Sequence, residues 1–513
     1  MSRILLAHSY FLRFDQKQWE RGKPYPPLAT IQVAAMLRAL GHEVVLFDAM
    51  LAEGVDAYVA VLGEVRPEVV VLYEDNFNFL TKMCLDRMHE AACRMVAEAA
   101  ASGARVVVAG SDASDRPKPL LDAGADAVLV GEGTVALRAL MARLDQDRDI
   151  GAAHWVAGIP GVASPHVVQE VPGATPVARI ASPGKPGALP PDRQLSGEAA
   201  WDLVDIGRYR RFWQERHGYF SLNMVASRGC PFRCNWCAKP IWGNHYAQRA
   251  PREVAAEMAF LKREFQPDHV WMADDIFGFR PDWLAEFAAH LRELDGVVPF
   301  TIQVRANMIS ERMADALHEA GCVEAWIGAE SGSQRILDAM AKDTTIGELV
   351  AARERLGARG IRVGFFIQLG YLGEQLDDLL ATRALVVLAA PDEIGVSVSY
   401  PLPGTRFHEQ VKAQLGRKTH WKESGDLSMM FRGAYDSQFY RDFRDLLHRQ
   451  VELLQPAHAM APREYRDACD GLDARWRALV ASERGHRNPG DAPAAPMECH
   501  ADENVRAAAT QGG

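Results

Sequence analysis

The sequence predicts an α/β protein, with a doubly wound parallel sheet at the amino end, a second run of strand and helix units in the middle, and a helical carboxy-terminal region. Short apolar runs alternate with segments of helical apolar spacing, the pattern of parallel β-α-β units. Pro and Gly concentrate over about residues 151–222 and divide that alternation into two blocks. At 513 residues the chain exceeds what one hydrophobic core supports, so several domains are expected.

In the first block, about 1–150, Arg3–Ala7 reads as a buried strand. Leu28–Leu40 has helical spacing ended by Gly41, and Glu43–Phe47 resumes an apolar run. Glu68–Leu72, a long helix over about Phe79–Ala101, Arg105–Ala109 and Ala127–Val130 continue the alternation. A sheet of this kind binds ligands beyond the carboxyl ends of its strands. A nicotinamide dinucleotide calls for G-x-G-x-x-G after the first strand, and the chain has Ala7-His-Ser-Tyr-Phe-Leu-Arg-Phe14 there. The 151–222 segment, with Pro183-Gly-Lys-Pro-Gly187 and Pro190-Pro191, reads as a connector. Its aromatic residues at Trp201 and Tyr209–Trp213 suit docking on a neighbouring domain.

The second block, about 223–410, opens on Met224-Val-Ala226 and runs into Ser227-Arg-Gly-Cys-Pro-Phe-Arg-Cys-Asn-Trp-Cys-Ala238. Cys230, Cys234 and Cys237 form a C-x3-C-x2-C run with an aromatic residue before the last cysteine. Three thiolates so close call for a metal. Iron–sulfur clusters ordinarily take four cysteines, so three suit a [4Fe–4S] cluster with one iron open to a ligand. Zinc held by the same sulfurs and His245 is the alternative. Eight cysteines with only this cluster, and no secretory signal, suggest a reducing, cytoplasmic setting. Strands follow at His269–Ala273, Phe300–Val304, Glu324–Gly328, Arg362–Ile367 and Glu393–Ser399, with helices over about Pro281–Leu294 and Ser310–Ala320 between them.

The cysteine run resembles that of the radical SAM superfamily. That resemblance implies a partial barrel of six βα units whose chemistry lies at the strands' carboxyl ends. It also implies that the open iron chelates S-adenosylmethionine, which is cleaved on reduction to a 5′-deoxyadenosyl radical. Ala273-Asp-Asp-Ile-Phe277, Val304-Arg-Ala-Asn307, Ile327-Gly-Ala-Glu-Ser-Gly-Ser333 and Leu369-Gly-Tyr-Leu-Gly-Glu374 resemble motifs of the branch that carries cobalamin domains, although Leu372 stands where proline is common. By resemblance Glu330, Ser331 and Arg305 face S-adenosylmethionine, Asp274 holds one of its hydroxyls or the substrate, and Trp236 shields the cluster near adenine. Helix capping for Asp274 and core packing for Trp236 are the alternatives.

The amino-terminal block resembles the cobalamin-binding domain of those enzymes through Tyr25-Pro-Pro-Leu-Ala-Thr30, Val106-Val-Val-Ala-Gly-Ser-Asp112 and Val130-Gly-Glu-Gly133. Gly110, Ser111, Gly131 and Gly133 would then approach the corrinoid, or serve turn geometry alone. The D-x-H-x-x-G motif, whose histidine ligates cobalt, is missing, so the resemblance implies cobalamin bound without a protein histidine on the metal. An empty flavodoxin-like domain is the alternative.

His420–Tyr435 resembles the tail of the group that includes anaerobic magnesium-protoporphyrin IX monomethyl ester cyclase. Helical patterning over about Ser437–Leu454 and Arg463–Ala481 completes a region spanning 411–482, and 483–513 reads as disordered. A net charge of −10 argues against broad nucleic-acid binding, and no apolar run is long enough to span a bilayer. The combined expectation is a cobalamin-dependent radical SAM enzyme that acts on a small-molecule substrate, most simply as a methyltransferase, with an external electron donor such as flavodoxin or ferredoxin. Oxidation, cyclisation or rearrangement without methyl transfer is the second expectation, and a non-catalytic metal- or corrinoid-binding protein the third.

Overall fold

The computed structural model describes residues 1–82, 85–166, 199–237, 241–416, 420–455 and 460–488. In its amino-terminal sheet, β1 (Arg3–Ala7), β2 (Glu43–Phe47), β3 (Val69–Tyr73), β4 (Arg105–Ala109) and β5 (Ala127–Leu129) run parallel, in the order β2-β1-β3-β4-β5. All five residues of β3 are buried, as a strand covered by helices on both faces requires. The connector adds a sixth, antiparallel strand, β6 (Val162–Ala163), paired to β5. The order places β1 and β3 side by side where the winding reverses, so the crevice of this sheet lies between the loops that follow them.

The single helix expected near 79–101 is observed as Phe79–Lys82 and Asp86–Ala101. Between them Leu85 takes an extended conformation, bridges to Trp421, and leaves Asp86 N–H to donate to the Trp421 carbonyl at 2.7 Å. Tertiary pairing with the carboxy-terminal region overrides the helical pattern there.

The second sheet contains β7 (Ser221–Met224), then β10 (His269–Met272), β11 (Phe300–Val304), β12 (Cys322–Glu330), β13 (Arg362–Leu369) and β14 (Glu393–Val398), in the order β14-β13-β12-β11-β10-β7, all parallel. The intervening short strands β8 (Ser227–Gly229) and β9 (Tyr246–Gln248) form a separate antiparallel pair that carries the start of the cysteine loop. Helices such as Pro251–Phe265, Pro281–Glu293 and Glu311–Ala320 bury their apolar stripes against the strands.

The connector's aromatic residues dock on both halves. Trp213 is fully buried and donates its indole N–H to the Pro24 carbonyl at 2.7 Å, Tyr209 donates to Asp48 Oδ2 at 2.7 Å, and Trp201 packs on Phe265. Residues 167–198 of the connector, Cys84, and 489–513 of the tail, including Cys499, lie outside the described residues. The last described helix, Pro462–His486, runs past the expected start of the disordered tail at 483, and pairs with Ser437–Leu454 through Phe443 and Trp476. Among the described residues no helix is long and apolar enough to cross a membrane.

Candidate active site

The cysteine loop leaves β8 at the carboxyl edge of the second sheet, and Cys230, Cys234 and Cys237 are outside any disulfide and each partly exposed. Its far side is pinned to the barrel. Asn235 N–H donates to the Met340 carbonyl at 3.0 Å, Phe407 N–H donates to the Asn235 carbonyl at 3.1 Å, and Tyr371 donates to Asn235 Oδ1 at 2.8 Å. Its near side is held by Asp274, just beyond β10. Both carboxylate oxygens accept from Ala226 N–H at 3.1 Å, and Oδ1 accepts from the Ser227 hydroxyl at 2.5 Å. Asp274 is 1% exposed, and burial pushes its carboxyl up to about 7. Its visible bonds are thus to the segment that launches the cysteines.

Arg305, at the end of β11, is the hub of the opposite wall. One guanidinium nitrogen lies 3.3 Å from Cys234 Sγ, and another donates to the carbonyls of Lys342 and Asp343 and to the Thr344 hydroxyl. The same group sits 3.9 Å over the Phe232 ring. Glu330, at the end of β12, has φ 61 in the left-handed region and pairs with Lys342 Nζ at 2.7 Å, with both side chains under a tenth exposed. Gly328 makes room for that pair, since a Cβ there would lie 2.6 Å from Nζ and 2.7 Å from Glu330 Oε1. Ser331 is fully buried, with its hydroxyl 3.3 Å from Thr382 Oγ1 and accepting from Ser333 N–H. The Trp236 indole N–H is buried without a hydrogen-bond partner, and its ring packs beside Ile336, Met340, Tyr371 and Phe407.

These features suit a cluster site better than a closed zinc site. Among the described residues, the group of three potential ligands whose atoms all lie within 4.8 Å of one another is His89, Asp112 and His420 rather than the cysteines. A single tetrahedral zinc ion draws its ligands about that close, whereas a cluster spreads them over several irons.

Across the crevice lies the carboxyl edge of the first sheet. Gly110 follows β4, and a Cβ there would lie 2.7 Å from Glu74 Cγ. Gly133, at φ 72, packs over Leu129, and Gly131, at φ 80, donates its N–H to Ser114 Oγ at 3.0 Å. Close packing therefore explains glycine at 110 and 133 without any ligand. The polar atoms around them do point to one: the Tyr10 and Ser111 hydroxyls, both amide atoms of Asn76 and Asp115 Oδ2 are buried with no partner. Donors and acceptors left in this state fit a ligand rimmed with amides, such as a corrinoid.

Sequence reasoning missed what joins the two edges. Arg228, between the expected strand and Cys230, pairs with Glu132 at 3.3 Å and donates to Gln32 Oε1 at 3.0 Å. Phe77 stacks on Trp242 with centroids 5.4 Å apart. It also missed the contact of the carboxy-terminal region with the first domain. Asp112 stands 2.6 Å from His89 Nδ1 and 3.1 Å from His420 Nε2. The Asp112 hydrogen bond, followed by one from Cys93, raises His89 to about 10. Burial of Asp112 opposes ionisation, but bonds from His420 and His89 outweigh it and hold the carboxyl well below its usual range. Arg116 lies 2.8 Å from the same His420 nitrogen, so the cluster carries its own cation and reads as an ion network. Apart from His89 with Cys93 and Asp112 with Arg116, each four residues apart, these partners are distant in sequence, and no short motif announces them.

Comparison with known proteins places two families on these two halves. The radical SAM superfamily matches residues 224–386, and the B12 binding domain matches residues 20–141. An uncharacterized methyltransferase of Pyrococcus horikoshii is 25% identical over 259 residues, 47% of this chain and 55% of that protein. Anaerobic magnesium-protoporphyrin IX monomethyl ester cyclase of Rubrivivax gelatinosus is 24% identical over 293 residues, 56% of this chain and 49% of the cyclase. The chain thus spans about half the length of these two relatives. Cytidylyl-2-hydroxyethylphosphonate methyltransferase of Streptomyces wedmorensis is 25% identical over 426 residues, 74% of this chain and 77% of that enzyme. Among solved structures, the fold resembles the radical S-adenosylmethionine methyltransferase TsrM from Kitasatospora setae, with cobalamin and [4Fe-4S] cluster bound, at TM-score 0.65 and 19% identity over 98% of this chain and 94% of that one.

Proposed function

Because the chain belongs to the radical SAM enzymes that carry a B12-binding domain, we propose that it transfers a methyl group to an unactivated carbon of a small-molecule substrate. The observation that carries this reading is the meeting of the two carboxyl edges through Arg228–Glu132 and Phe77–Trp242, which turns the cysteine loop towards the crevice of the first sheet. Methyltransferases among the relatives support it. When bound, the cluster with S-adenosylmethionine supplies an organic radical, and the corrinoid supplies a transferable methyl group.

The chain's own residues bind, orient and exclude water. Cys230, Cys234 and Cys237 hold the cluster, and Arg305 sets a positive charge against Cys234. Asp274 fixes the start of the loop through Ala226 and Ser227. We assign Trp236, Glu330 and Ser331 to the S-adenosylmethionine side, with Glu330 held in place by Lys342. We assign Gly110, Ser111, Gly131 and Gly133 to the corrinoid side, Gly110 and Gly133 through the close packing that shapes its loops rather than by contact. An external one-electron donor such as flavodoxin or ferredoxin, in a reducing cytoplasm, completes the scheme.

The test is anaerobic incubation of the reconstituted protein with methyl-labelled S-adenosylmethionine and candidate small molecules. Label in the product, together with 5′-deoxyadenosine, is the expected result. Oxidised or cyclised product without label selects the second reading, which similarity to the porphyrin ester cyclase favours. No 5′-deoxyadenosine at all, from protein shown to carry its cluster, leaves a non-catalytic binding protein.

A further inference from the structure

We propose that the inward face of the second sheet is the substrate site, and that it takes an uncharged, planar ring system carrying an N–H or O–H donor. The inference rests on the small-molecule methyl-transfer reading above and names the class of substrate. Register across the six strands puts Asn223, Trp271, Gln303, Trp326, Phe366 and Gln368 on one face. The opposite face packs under helices and is buried, as at Val270, Ile302, Ile327, Phe365 and Val396. On the inward face Trp271, Gln303, Phe366, Gly395 and Ser397 keep partial exposure, so that open and buried residues alternate along β10 and β14. A closed barrel fills its interior with bulky branched side chains; this one leaves room. Residues 16–27 of the first domain strap the open side. Arg21 pairs with Glu393 at the start of β14 at 3.3 Å, while the Pro26 carbonyl accepts from Asn223 Nδ2 on β7 at 3.1 Å and the Tyr25 hydroxyl accepts from Ser221 at 3.1 Å. Between strap and sheet runs a trough.

Two rings lie down against this face. Trp326 covers Gly364 of the next strand, where a Cβ would come within 2.5 Å of the indole, and Phe366 covers Gly395, where a Cβ would lie 3.1 Å from the phenyl ring. Glycine at both positions lets the rings settle on the backbone. They stack with centroids 4.8 Å apart and planes 26° apart, and the partly exposed Phe366 opens the shelf to the trough. An aromatic shelf of this kind favours a flat ring through offset stacking. The polar groups that accompany it are acceptors. The Pro26 carbonyl can only accept, which fixes Nδ2 of Asn223 upon it and leaves Oδ1 buried without a partner. Gln368 Oε1 is also buried and unpartnered. Both are answered by a donor on the ligand. The carboxylates of this face already have partners: Glu324 has Arg362 at 3.6 Å and the Trp326 indole N–H at 3.1 Å, and Glu393 has Arg21. An uncharged ring is therefore favoured over an ion, which would lose water here for little in return.

The probe is 2-naphthol, planar with one O–H donor, set against decahydro-2-naphthol, which has the same carbon skeleton and donor but is puckered and more apolar. Calorimetric titration into the full-length protein, reconstituted anaerobically, should show 2-naphthol binding about tenfold more tightly, the worth of one or two aromatic contacts. Phe366→Leu should erase most of that preference. Gln368→Met should weaken 2-naphthol by about fivefold, the loss of roughly one hydrogen bond. A second measurement needs no variant: an aryl azide derivative of 2-naphthol, photolysed on the unaltered protein, should label peptides within Phe300–Leu369, and excess 2-naphthol should suppress that label. Equal affinity for the two alcohols overturns the proposal, as does a preference that survives in Phe366→Leu or a suppressible label confined to other peptides. Methyl transfer to an acyclic aliphatic substrate by protein that does not bind 2-naphthol keeps the reaction and overturns only the planar ring. Protein that binds and labels as expected, yet forms product without methyl label, keeps the site and overturns the transfer reading.

Discussion

Removing one partner of the Glu330–Lys342 pair should unfold the barrel at markedly lower denaturant, whereas removing both should not. The two side chains are 6% and 7% exposed and 2.7 Å apart, so each charge depends on the other for what water no longer supplies. Breaking such a pair from one side leaves an uncompensated buried charge and costs about 3–5 kcal/mol, whereas replacing both partners with apolar groups is often close to neutral. Trp236 cannot rescue the lysine: Nζ is 6.0 Å from its ring, the outer limit of a useful cation–π contact. Lys342→Met and Glu330→Met alone should therefore each shift the folded-to-unfolded ratio by roughly two to four decades. The double variant Glu330→Met/Lys342→Met, which leaves neither a charge nor an unpaired polar group, should recover most of that loss. Anaerobic urea titration of the three variants, read by tryptophan fluorescence, gives the cycle. Single variants that each cost less than about 1 kcal/mol would refute the reasoning, since that is the value of a solvated surface pair.

Three further outcomes follow from the same geometry. Replacing Cys230, Cys234 or Cys237 with Ala should abolish 5′-deoxyadenosine formation and the iron–sulfur absorption while leaving far-ultraviolet circular dichroism unchanged. Asp274→Ala strands Ala226 N–H in a buried site and leaves the Ser227 hydroxyl with the Ile276 carbonyl alone, a loss of about 1–3 kcal/mol, and should lower the iron bound per chain after reconstitution, whereas Asp274→Asn keeps an acceptor and most of the iron. Because His89 is raised from 6.5 to about 10, its contribution to stability is complete below pH 6.5 and is lost as pH rises towards 10. Asp112→Asn should cost about 1–3 kcal/mol near pH 6 and flatten that slope, measured as the urea midpoint across the same range; an unchanged slope refutes the His89–Asp112 pairing as its source.

What the sequence revealed and what it concealed divide along a physical line. Strands that pack between helices are written as apolar runs, so Arg3–Ala7, Arg105–Ala109, Phe300–Val304 and the half-buried edge strand Glu43–Phe47 have the expected bounds. The three cysteines were legible because a single loop carries all of them within eight residues. Arg305 and Glu330 were named only through family resemblance, and their partners Lys342 and Asp343 escaped notice because a loop folds them back across the strand ends. Asn76 was invisible for the opposite reason: its distinguishing property is a lack of partners, which exists only once burial is known. The break at Leu85 was hidden because the force that makes it is Trp421, far along the chain.

The two walls of the crevice differ in charge, and that difference bears on what each can hold. On the cysteine side, Arg305 and Lys342 place cations next to the Cys234 sulfur and a carboxylate, an arrangement that would offset the negative charge of a cysteine-ligated cluster. On the other side, burial is the largest cause pushing Asp75 up to about 6 and Asp115 up to about 7, and it raises Glu74 as well. These acids hold their protons more tightly because water has been excluded and few cations answer them. A positively charged ligand in that crevice would favour their ionised forms and be favoured by them in return. A second anionic group would meet both the burial cost and their repulsion. The fold thus separates a wall suited to a thiolate-bound anion from one suited to a cation bearing amides, and the Arg228–Glu132 pair crosses the seam with one residue of each sign.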